Sequence, residues 1–350
     1  MRLAAPVLLT ALLWGLGWAW VPSELGLAAL IAVAVATAVN CLRVGSRAAV
    51  TVGVLALAAI GAFVVDILVL ERDALRVVHR AEPLALTPER LRLVNFNVLH
   101  GYSSFPNQQL RAERSIAALE ALEPDIVVLQ EAWHTRRHGD FVAQLADRLG
   151  MDSAFARANG KLERIGFEEG EAILSRFPIL SAERIPLTPR KPFFERRVAL
   201  VCVLDLGGEL LSVVGTHLDN RRIATANAQA ATLAARVGDL DAPIVAGDLN
   251  AGDESAAVKA FLDLGFYDLV EGGIDHVLFP RDASPWRVER ADWTLRTNEV
   301  EALIGVRAEI SDHPGIVVDL VRAAGEGLSG SPIGDGRVQP DITTERLPEG

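Results

Sequence analysis

The chain has 350 residues, of which 50% are hydrophobic, and its net charge at pH 7 is −11. Residues 1–70 carry a net charge of +1, so the remaining 280 residues carry −12. A domain this acidic is a poor general binder of nucleic acid backbones, because such binding usually needs a basic face. The two cysteines, Cys41 and Cys202, exclude a disulfide framework and a cysteine metal site.

Three apolar segments fill the first 70 residues, at about 3–22, 25–42 and 48–70. Each approaches the roughly 20 residues that a helix needs to cross the hydrocarbon core of a bilayer. We therefore predict three transmembrane helices. The alternative is that the first segment is a cleaved signal peptide. It is disfavoured because only Arg2 forms the basic region and no small-residue cleavage site precedes Pro22.

Basic residues in the predicted loops set the orientation. Arg2 precedes the first segment, and Arg43 and Arg47 lie between the second and third, whereas the first connection has no cation. The positive-inside rule places these basic loops in the cytoplasm and everything after Leu70 outside it. We therefore expect a multi-pass plasma-membrane protein whose remaining chain is extracytoplasmic.

Two segments flank the remaining domain, which spans residues 91–321. Residues 71–90 contain two prolines and charges of both signs, a composition typical of a linker. Residues 322–350 are rich in Gly, Ser, Pro and acidic residues and have few large apolar ones, which predicts a disordered tail.

Predicted strands and helices alternate within the domain. Apolar runs predict strands at 91–98, 125–130, 171–174, 198–204, 210–216, 243–247, 274–278 and 316–320. Helical periodicity predicts helices at 110–122, 139–149 and 223–237. The strands at 198–204 and 210–216 flank Gly207 and Gly208, which indicates a hairpin.

Polar and ionisable residues recur where the predicted strands end. They are Asn97, Glu131, His217, Asp248 with Asn250, Asp275, and Asp312 with His313. The pair Asp248 and Asn250 suits orienting a water and holding a phosphoryl oxygen, but alone it is equally typical of an Asx turn. Each of the others also has a structural explanation when taken singly. Because ligands gather at strand ends in α/β sheets, the recurrence favours one shared site.

The motifs around these residues stand in a characteristic order. They read VNFNVLHG, PDIVVLQEAW, EGEAILSRFPI, VVGTHLD, VAGDLNA, GGIDHVL and SDHPGIVVDL, and they cover about residues 91–321. As an ordered set they resemble the endonuclease/exonuclease/phosphatase superfamily, which has the DNase I-like fold. The resemblance implies an α/β fold, a four-layer α-β-β-α sandwich of two packed mixed sheets, here preceded by the three predicted transmembrane helices. It also implies an enzyme that hydrolyses phosphate ester bonds.

The resemblance assigns a metal site and a base. Glu131 and Asn97 would hold a divalent cation, Mg²⁺ or alternatively Mn²⁺, and Asp312 would add to the metal shell. Carboxylate and amide oxygens suit such an ion. His313 would activate the attacking water as a general base, and Asp275 would hold it in its working tautomer.

The resemblance also assigns substrate contacts. Asp248 would orient the water, Asn250 would bind the phosphoryl oxygen, and His217 would donate a hydrogen bond or a proton to the phosphoryl group. Glu171 would support His217, and Arg197 or the preceding arginine, Arg196, would offset the charge that develops in the transition state.

Two positions depart from the family pattern. Leu99 stands where the abasic-site nucleases of this group carry an acid, and Glu171 stands where many members have Asn, so no nuclease subtype is indicated.

We expect a membrane-tethered phosphoesterase acting on a small or lipid-linked phosphate ester. The alternatives are an extracytoplasmic nuclease, which the net charge disfavours, and a catalytically silent phosphate-binding module. The silent module is disfavoured because the full set of candidate residues is present.

Overall fold

The computed structural model describes residues 32, 35–36, 38–40, 42–43, 47–68, 74–82, 87–101, 107–190, 196–281, 284–306 and 309–323. The first predicted transmembrane segment, most of the second and nearly all of the predicted tail lie outside the described residues. The third predicted segment coincides with a helix, α1 (Arg47–Leu68). Within the described ranges, no helix is both long enough and apolar enough to span a membrane.

The described residues after α1 form fourteen strands and six further helices. The strands are β1 (Leu75–Val78), β2 (Arg90–Asn97), β3 (Ile126–Thr135), β4 (Gly139–Asp140), β5 (Asp152–Gly160), β6 (Phe167–Ser175), β7 (Ile179–Pro186), β8 (Val198–Asp205), β9 (Leu210–His217), β10 (Ile244–Asp248), β11 (Phe266–Asp268), β12 (Asp275–Pro280), β13 (Trp286–Thr294) and β14 (Gly315–Arg322). The helices are α2 (Gln108–Ala121), α3 (Phe141–Leu149), α4 (Leu162–Ile165), α5 (Ile223–Val237), α6 (Ala256–Leu262) and α7 (Thr297–Ile304).

The strands form two sheets. The first has the order β1-β5-β6-β3-β2-β14-β13, with β4 paired to β3, and the second has the order β11-β12-β10-β9-β8-β7. The neighbours β2 and β3 are parallel, and so are β9 and β10. The other described pairs are antiparallel. Both sheets are therefore mixed, as the resemblance implies.

Three buried apolar clusters hold the layers together. The central cluster lies between the sheets and includes Leu93 and Ile173 from the first and Leu200 and Val213 from the second. Each outer cluster packs helices on the far face of one sheet, with α2, α3 and α7 on the first and α5 and α6 on the second. Burying each large aliphatic side chain contributes about 1.5–3 kcal/mol. The arrangement is the predicted four-layer α-β-β-α sandwich.

Gly247 permits the close approach of β10 to β9. A Cβ atom at this position would lie 2.0 Å from the carbonyl oxygen of Thr216. The two strands run in parallel register, with Gly247 opposite Thr216 and Asp248 opposite His217. This glycine therefore helps to set two candidate site residues side by side.

Some elements differ from the prediction. Strand β1 lies inside the predicted linker at 71–90 and pairs with β5, which was not predicted either. The nine residues of β5, DSAFARANG, are all buried, but Phe155 is the only large apolar side chain among them, so the strand lacks the apolar run that marks a core strand. The predicted helix at 139–149 begins at Phe141, because the Asp140 side chain caps it by accepting from the Ala143 N–H.

Candidate active site

The ends of several strands meet at one edge of the sandwich. Asn97 ends β2, while His217 and Asp248 end the parallel pair β9 and β10. Strand β12 runs antiparallel to β10 and begins at Asp275, which lies opposite Asp248. The segment 311–313 leads into β14, which is antiparallel to β2, so it lies beside the end of β2. The strand topology therefore places these residues together at one edge of the sandwich.

Glu131 reaches the same edge from within a strand. The sequence predicted that the strand ends at residue 130, but β3 continues to Thr135. The register with β6 shifts between Leu129 and Ala132, and Glu131 has a φ of 56°. This bulge turns the Glu131 side chain out of the regular alternation of the strand. Its carboxylate accepts a hydrogen bond from the backbone N–H of His100 at 3.1 Å.

The Asp248 carboxylate lies close to side chains from both sheets. Its Oδ2 accepts a hydrogen bond from Asn97 Nδ2 at 3.1 Å and lies 3.3 Å from His217 Nε2 and 3.8 Å from His313 Nε2. Its Oδ1 accepts from the backbone N–H of Asn250 at 2.8 Å. The residue is only 1% exposed. Burial and the neighbouring charge of Asp275 raise the pKa of Asp248 to about 7.

His313 and Asp275 form the predicted pair. His313 Nδ1 lies 2.8 Å from Asp275 Oδ2. Burial alone would lower the pKa of His313, but its hydrogen bond to Asp275 and the charges of Asp275 and Asp248 raise that pKa to about 9. Ser311 fixes the local backbone, because its Oγ donates to the Asn97 carbonyl at 2.6 Å and accepts from the His313 N–H at 3.2 Å.

The three predicted metal ligands are not equally placed. Asn97 Nδ2 lies 3.5 Å from Glu131 Oε1, so these two side chains are adjacent. Asn97 turns its amide nitrogen to the acids, and its Oδ1 accepts from the Leu99 N–H at 3.0 Å. The Asp312 side chain is 64% exposed, and its Oδ1 lies 4.0 Å from His313 Nε2. Asp312 therefore lies at the rim of the site.

A second set of groups at this edge is suited to a cation. Ligand atoms of Asp248, Asp275 and His313 all lie within 4.8 Å of one another. Asp275 Oδ1 is buried and makes no hydrogen bond within the described part of the chain. Two adjacent buried carboxylates, one with an unsatisfied oxygen, are an arrangement that a divalent cation stabilises. The residues present therefore fit a metal ion.

His217 is 2% exposed and lies between Asp248 and Arg197. Its Nδ1 is 3.3 Å from a terminal guanidinium nitrogen of Arg197. Burial and the positive charge of Arg197 hold the pKa of His217 well below its ordinary value. The sequence-based interpretation expected Glu171 to support His217, but the structure places Arg197 at this ring nitrogen.

Glu171 lies deeper in the sandwich. It is buried on β6, and its Oε2 has no hydrogen-bond partner among the described residues. Burial, together with the charge of Glu169, raises the pKa of Glu171 well above its ordinary value. Asn250 is at the edge itself, where its Nδ2 donates to the Leu218 carbonyl at 3.0 Å.

Sequence reasoning missed two supporting residues. His100 contacts Glu131 through both its backbone N–H and its ring, whose Nε2 lies 3.3 Å from Glu131 Oε2. Asn159 lies on the unpredicted strand β5 and binds the backbone of Arg196. His100 lies three residues after Asn97 in the same motif, so its position in the sequence could have indicated a role in the site. Asn159 has no such signal, because its role depends on strand pairing.

Two packed mixed sheets with acids, amides and histidines at one edge are the features of a DNase I-like α/β protein. The chain belongs to the Endonuclease/Exonuclease/phosphatase family, whose profile matches residues 94–313. Members of this family are hydrolases that act on phosphate esters, and they typically depend on a divalent metal. No curated protein sequence matches the chain.

Solved structures share the fold at low sequence identity. The catalytic domain of human Nocturnin with bound sulfate is 20% identical over 71% of this chain and 97% of its own, with a TM-score of 0.54. An endonuclease/exonuclease/phosphatase from Beutenbergia cavernae is 21% identical over 67% of this chain and 72% of its own, with a TM-score of 0.50. The Bacteroides thetaiotaomicron mannosyl-6-phosphatase is 18% identical over 66% of this chain and 99% of its own, with a TM-score of 0.50.

Proposed function

We propose that the chain is a metal-dependent phosphoesterase that hydrolyses a phosphate ester by attack of an activated water. The observation that carries this proposal is the position of Asp248, whose Oδ2 lies within 4 Å of both His217 and His313 while His313 is paired with Asp275. The group combines a base, its orienting carboxylate, a water-orienting acid and a hydrogen-bond donor, which together suit an in-line displacement at phosphorus.

The chain's own residues account for the proton transfer. His313 takes the proton of the attacking water at Nε2, while Asp275 holds the proton on Nδ1 and stabilises the imidazolium that forms. The pKa of His313 falls when the charges of Asp275 and Asp248 are offset, and the ring is then the neutral base that this step needs. Asp248 orients the water, and Asn250 contacts a phosphoryl oxygen.

Glu131 would hold the metal ion, with Asp312 at the rim adding an oxygen or a bridging water. Asn97 would join it only through Oδ1, which in this structure accepts from the Leu99 N–H. We propose Mg²⁺, with Mn²⁺ as the alternative, because oxygen ligands predominate. When bound, the ion supplies positive charge to the phosphoryl oxygens. The neighbouring group of Asp248, Asp275 and His313 provides a competing location for the ion.

A small or lipid-linked phosphate ester is the substrate class that we propose. The support is the net charge of −12 beyond residue 70, which opposes binding to a nucleic acid backbone. Attachment to the plasma membrane, with the catalytic domain on its extracytoplasmic side, is likewise our proposal. It rests on the apolar N-terminal sequence and the placement of its basic residues.

A substrate panel tests this function. The full-length chain is assayed with and without Mg²⁺ on an aryl phosphate monoester, an aryl phosphate diester, phosphorylated lipids in mixed micelles, and supercoiled plasmid. We expect Mg²⁺-dependent hydrolysis of an ester in the first three, and a loss of at least about 10²-fold in Asp248→Asn and His313→Gln. Asp147→Asn, which removes an exposed carboxylate paired with Arg80, is the matched control.

Two results would overturn the proposal. Equal rates for wild type and both active-site variants would show that this site performs no hydrolysis. Cleavage of plasmid alone, with no turnover of the other esters, would favour the nuclease alternative instead.

A further inference from the structure

The guanidinium of Arg197 constrains the protonation of the His217 ring. One terminal nitrogen of Arg197 lies 3.3 Å from His217 Nδ1. A guanidinium has five N–H donors and no acceptor, so in this hydrogen bond Arg197 must donate. His217 Nδ1 must then accept, and the ring proton has to reside on Nε2.

The other side of the ring is consistent with this assignment. His217 Nε2 lies 3.3 Å from Asp248 Oδ2, a carboxylate oxygen that can only accept when ionised. The ring is buried, so water does not offer alternative partners. A donor at Nδ1 and an acceptor near Nε2 select the same tautomer. The depressed pKa of His217 agrees with a neutral ring.

Arg197 projects from a backbone that is held on both sides. Asn159 accepts from the Arg196 N–H at 3.0 Å through Oδ1 and donates to the Arg196 carbonyl at 3.1 Å through Nδ2. The carbonyl of Arg197 itself accepts from the Leu187 N–H at 3.0 Å. These hydrogen bonds fix the backbone from which the Arg197 side chain extends, and this favours a defined contact between the guanidinium and His217.

We propose that Arg197 is a positioning residue that fixes the Nε2–H tautomer of His217, so that the neutral ring donates to the Asp248 carboxylate, which orients the attacking water, and does not act as a proton donor. The tautomer stands on the geometry alone, whereas the part concerning the attacking water rests on the function proposed above. Protonation of the leaving group is then left to another group or to water.

Nuclear magnetic resonance reads the tautomer directly. The full-length chain, with its seven histidines labelled with ¹⁵N, is recorded in two-bond ¹H–¹⁵N correlation spectra, and His217→Gln identifies the His217 signals. We expect wild type to show a protonated Nε2 and an unprotonated Nδ1. Arg197→Met should shift His217 towards a mixture of tautomers or a protonated ring, whereas Arg197→Lys, which keeps a cationic donor, should retain most of the wild-type pattern.

Controls separate this effect from misfolding. Arg236→Met removes an arginine in the last turn of α5 that is paired with Glu183 on β7, and it should leave the His217 signals unchanged. Unchanged signals of the other histidines in Arg197→Met show that the fold persists. If Arg197→Met does not fold, Asn159→Ala, which releases the backbone before Arg197, should move the same signals in the same direction.

Kinetic measurements test the proposed effect of Arg197 on catalysis. We expect kcat of Arg197→Met to fall roughly 10²-fold, because the Asp248 carboxylate then lacks a fixed ring donor, with recovery in Arg197→Lys. A protonated Nδ1 in wild type, or an unchanged His217 pattern in Arg197→Met, would overturn the tautomer assignment. Because the spectra require no substrate, they decide this point even if the proposed phosphoesterase activity is absent.

Discussion

His313 Nε2 lies 3.8 Å from Asp248 Oδ2, although His313 leads into a strand of the first sheet and Asp248 ends a strand of the second. Asn97, also from the first sheet, donates to the same carboxylate oxygen. The candidate site therefore forms only when the two sheets pack in the correct position relative to each other. Changes that shift one sheet against the other should reduce activity without touching a site residue.

Replacement of Asp275 by Asn should change the pH dependence of catalysis. The Asp275 carboxylate helps to raise the pKa of His313 to about 9, so its loss lowers that pKa. A base must be unprotonated, so the acid limb of kcat/KM against pH should move to lower pH. The maximum rate should fall by about 10²–10⁴-fold, because the ring is no longer oriented. An acid limb that stays in place, or moves to higher pH, would contradict the role of His313.

Gly247→Ala should destabilise the protein and reduce activity together. The new Cβ would lie 2.0 Å from the Thr216 carbonyl, so β9 and β10 must separate. We expect a loss of about 1–3 kcal/mol in the free energy of unfolding by urea, with a lower kcat because Asp248 and His217 lose their register. Gly252→Ala is the matched control, since a Cβ there meets nothing within 4 Å. Equal stability of the two variants would show that the strands tolerate the separation.

Metal removal should abolish hydrolysis, and Mg²⁺ or Mn²⁺ should restore it. Calorimetric titration of the chelated protein then locates the ion. If Glu131 is a ligand, Glu131→Gln should weaken binding by 10-fold or more, because a charged oxygen is lost. An affinity that falls in Asp275→Asn but not in Glu131→Gln would place the ion among Asp248, Asp275 and His313 instead. Asp147→Asn should bind as wild type does.

Glu168 should make stability depend on acidic pH. Burial would raise its pKa, but the nearby ring of His134 and the guanidinium of Arg76, 2.6 Å away, lower it to about 2 from an ordinary value of 4.5. Because the folded-state pKa is depressed, the stabilisation is complete above pH 4.5 and is lost as the pH falls towards 2. The shift corresponds to about 3 kcal/mol at pH 7.

The measurement for Glu168 is the difference in unfolding free energy between wild type and Glu168→Gln at pH 7 and at pH 3. We expect the difference to shrink by about half or more at the lower pH. A difference that does not change with pH would mean that His134 and Arg76 do not stabilise the ionised carboxylate.

Much of the framework follows from local sequence. The helix predicted at 223–237 has the same bounds in the structure, and the hairpin of β8 and β9 forms as expected. The positions of Asn97, His217 and Asp248 at strand ends were also predictable, because apolar runs stop just before them, whereas Asp275 begins β12. Periodicity and strand-end chemistry are local properties, so they can be seen in one chain.

Other features depend on contacts between distant segments. Nothing in the sequence around Glu131 indicates the bulge that turns its carboxylate, since the bulge is defined by pairing with β6. The contact between Arg197 and His217 likewise depends on how the segment before β8 lies against the end of β9. Strand β5 is buried by its neighbours despite its alanines and polar residues, a case in which tertiary context overrides propensity.

The edge strand β1 has a consequence for how the domain is delimited. It pairs residues 75–78 with residues 153–156 of β5, and Arg76 joins it to the buried Glu168. A protein shortened to begin at residue 91 would leave the N–H and C=O groups of β5 unpaired along that side, a surface on which another copy can add its own strand. Such a truncated protein should self-associate, whereas one that begins before Leu75 should stay monodisperse in size-exclusion chromatography.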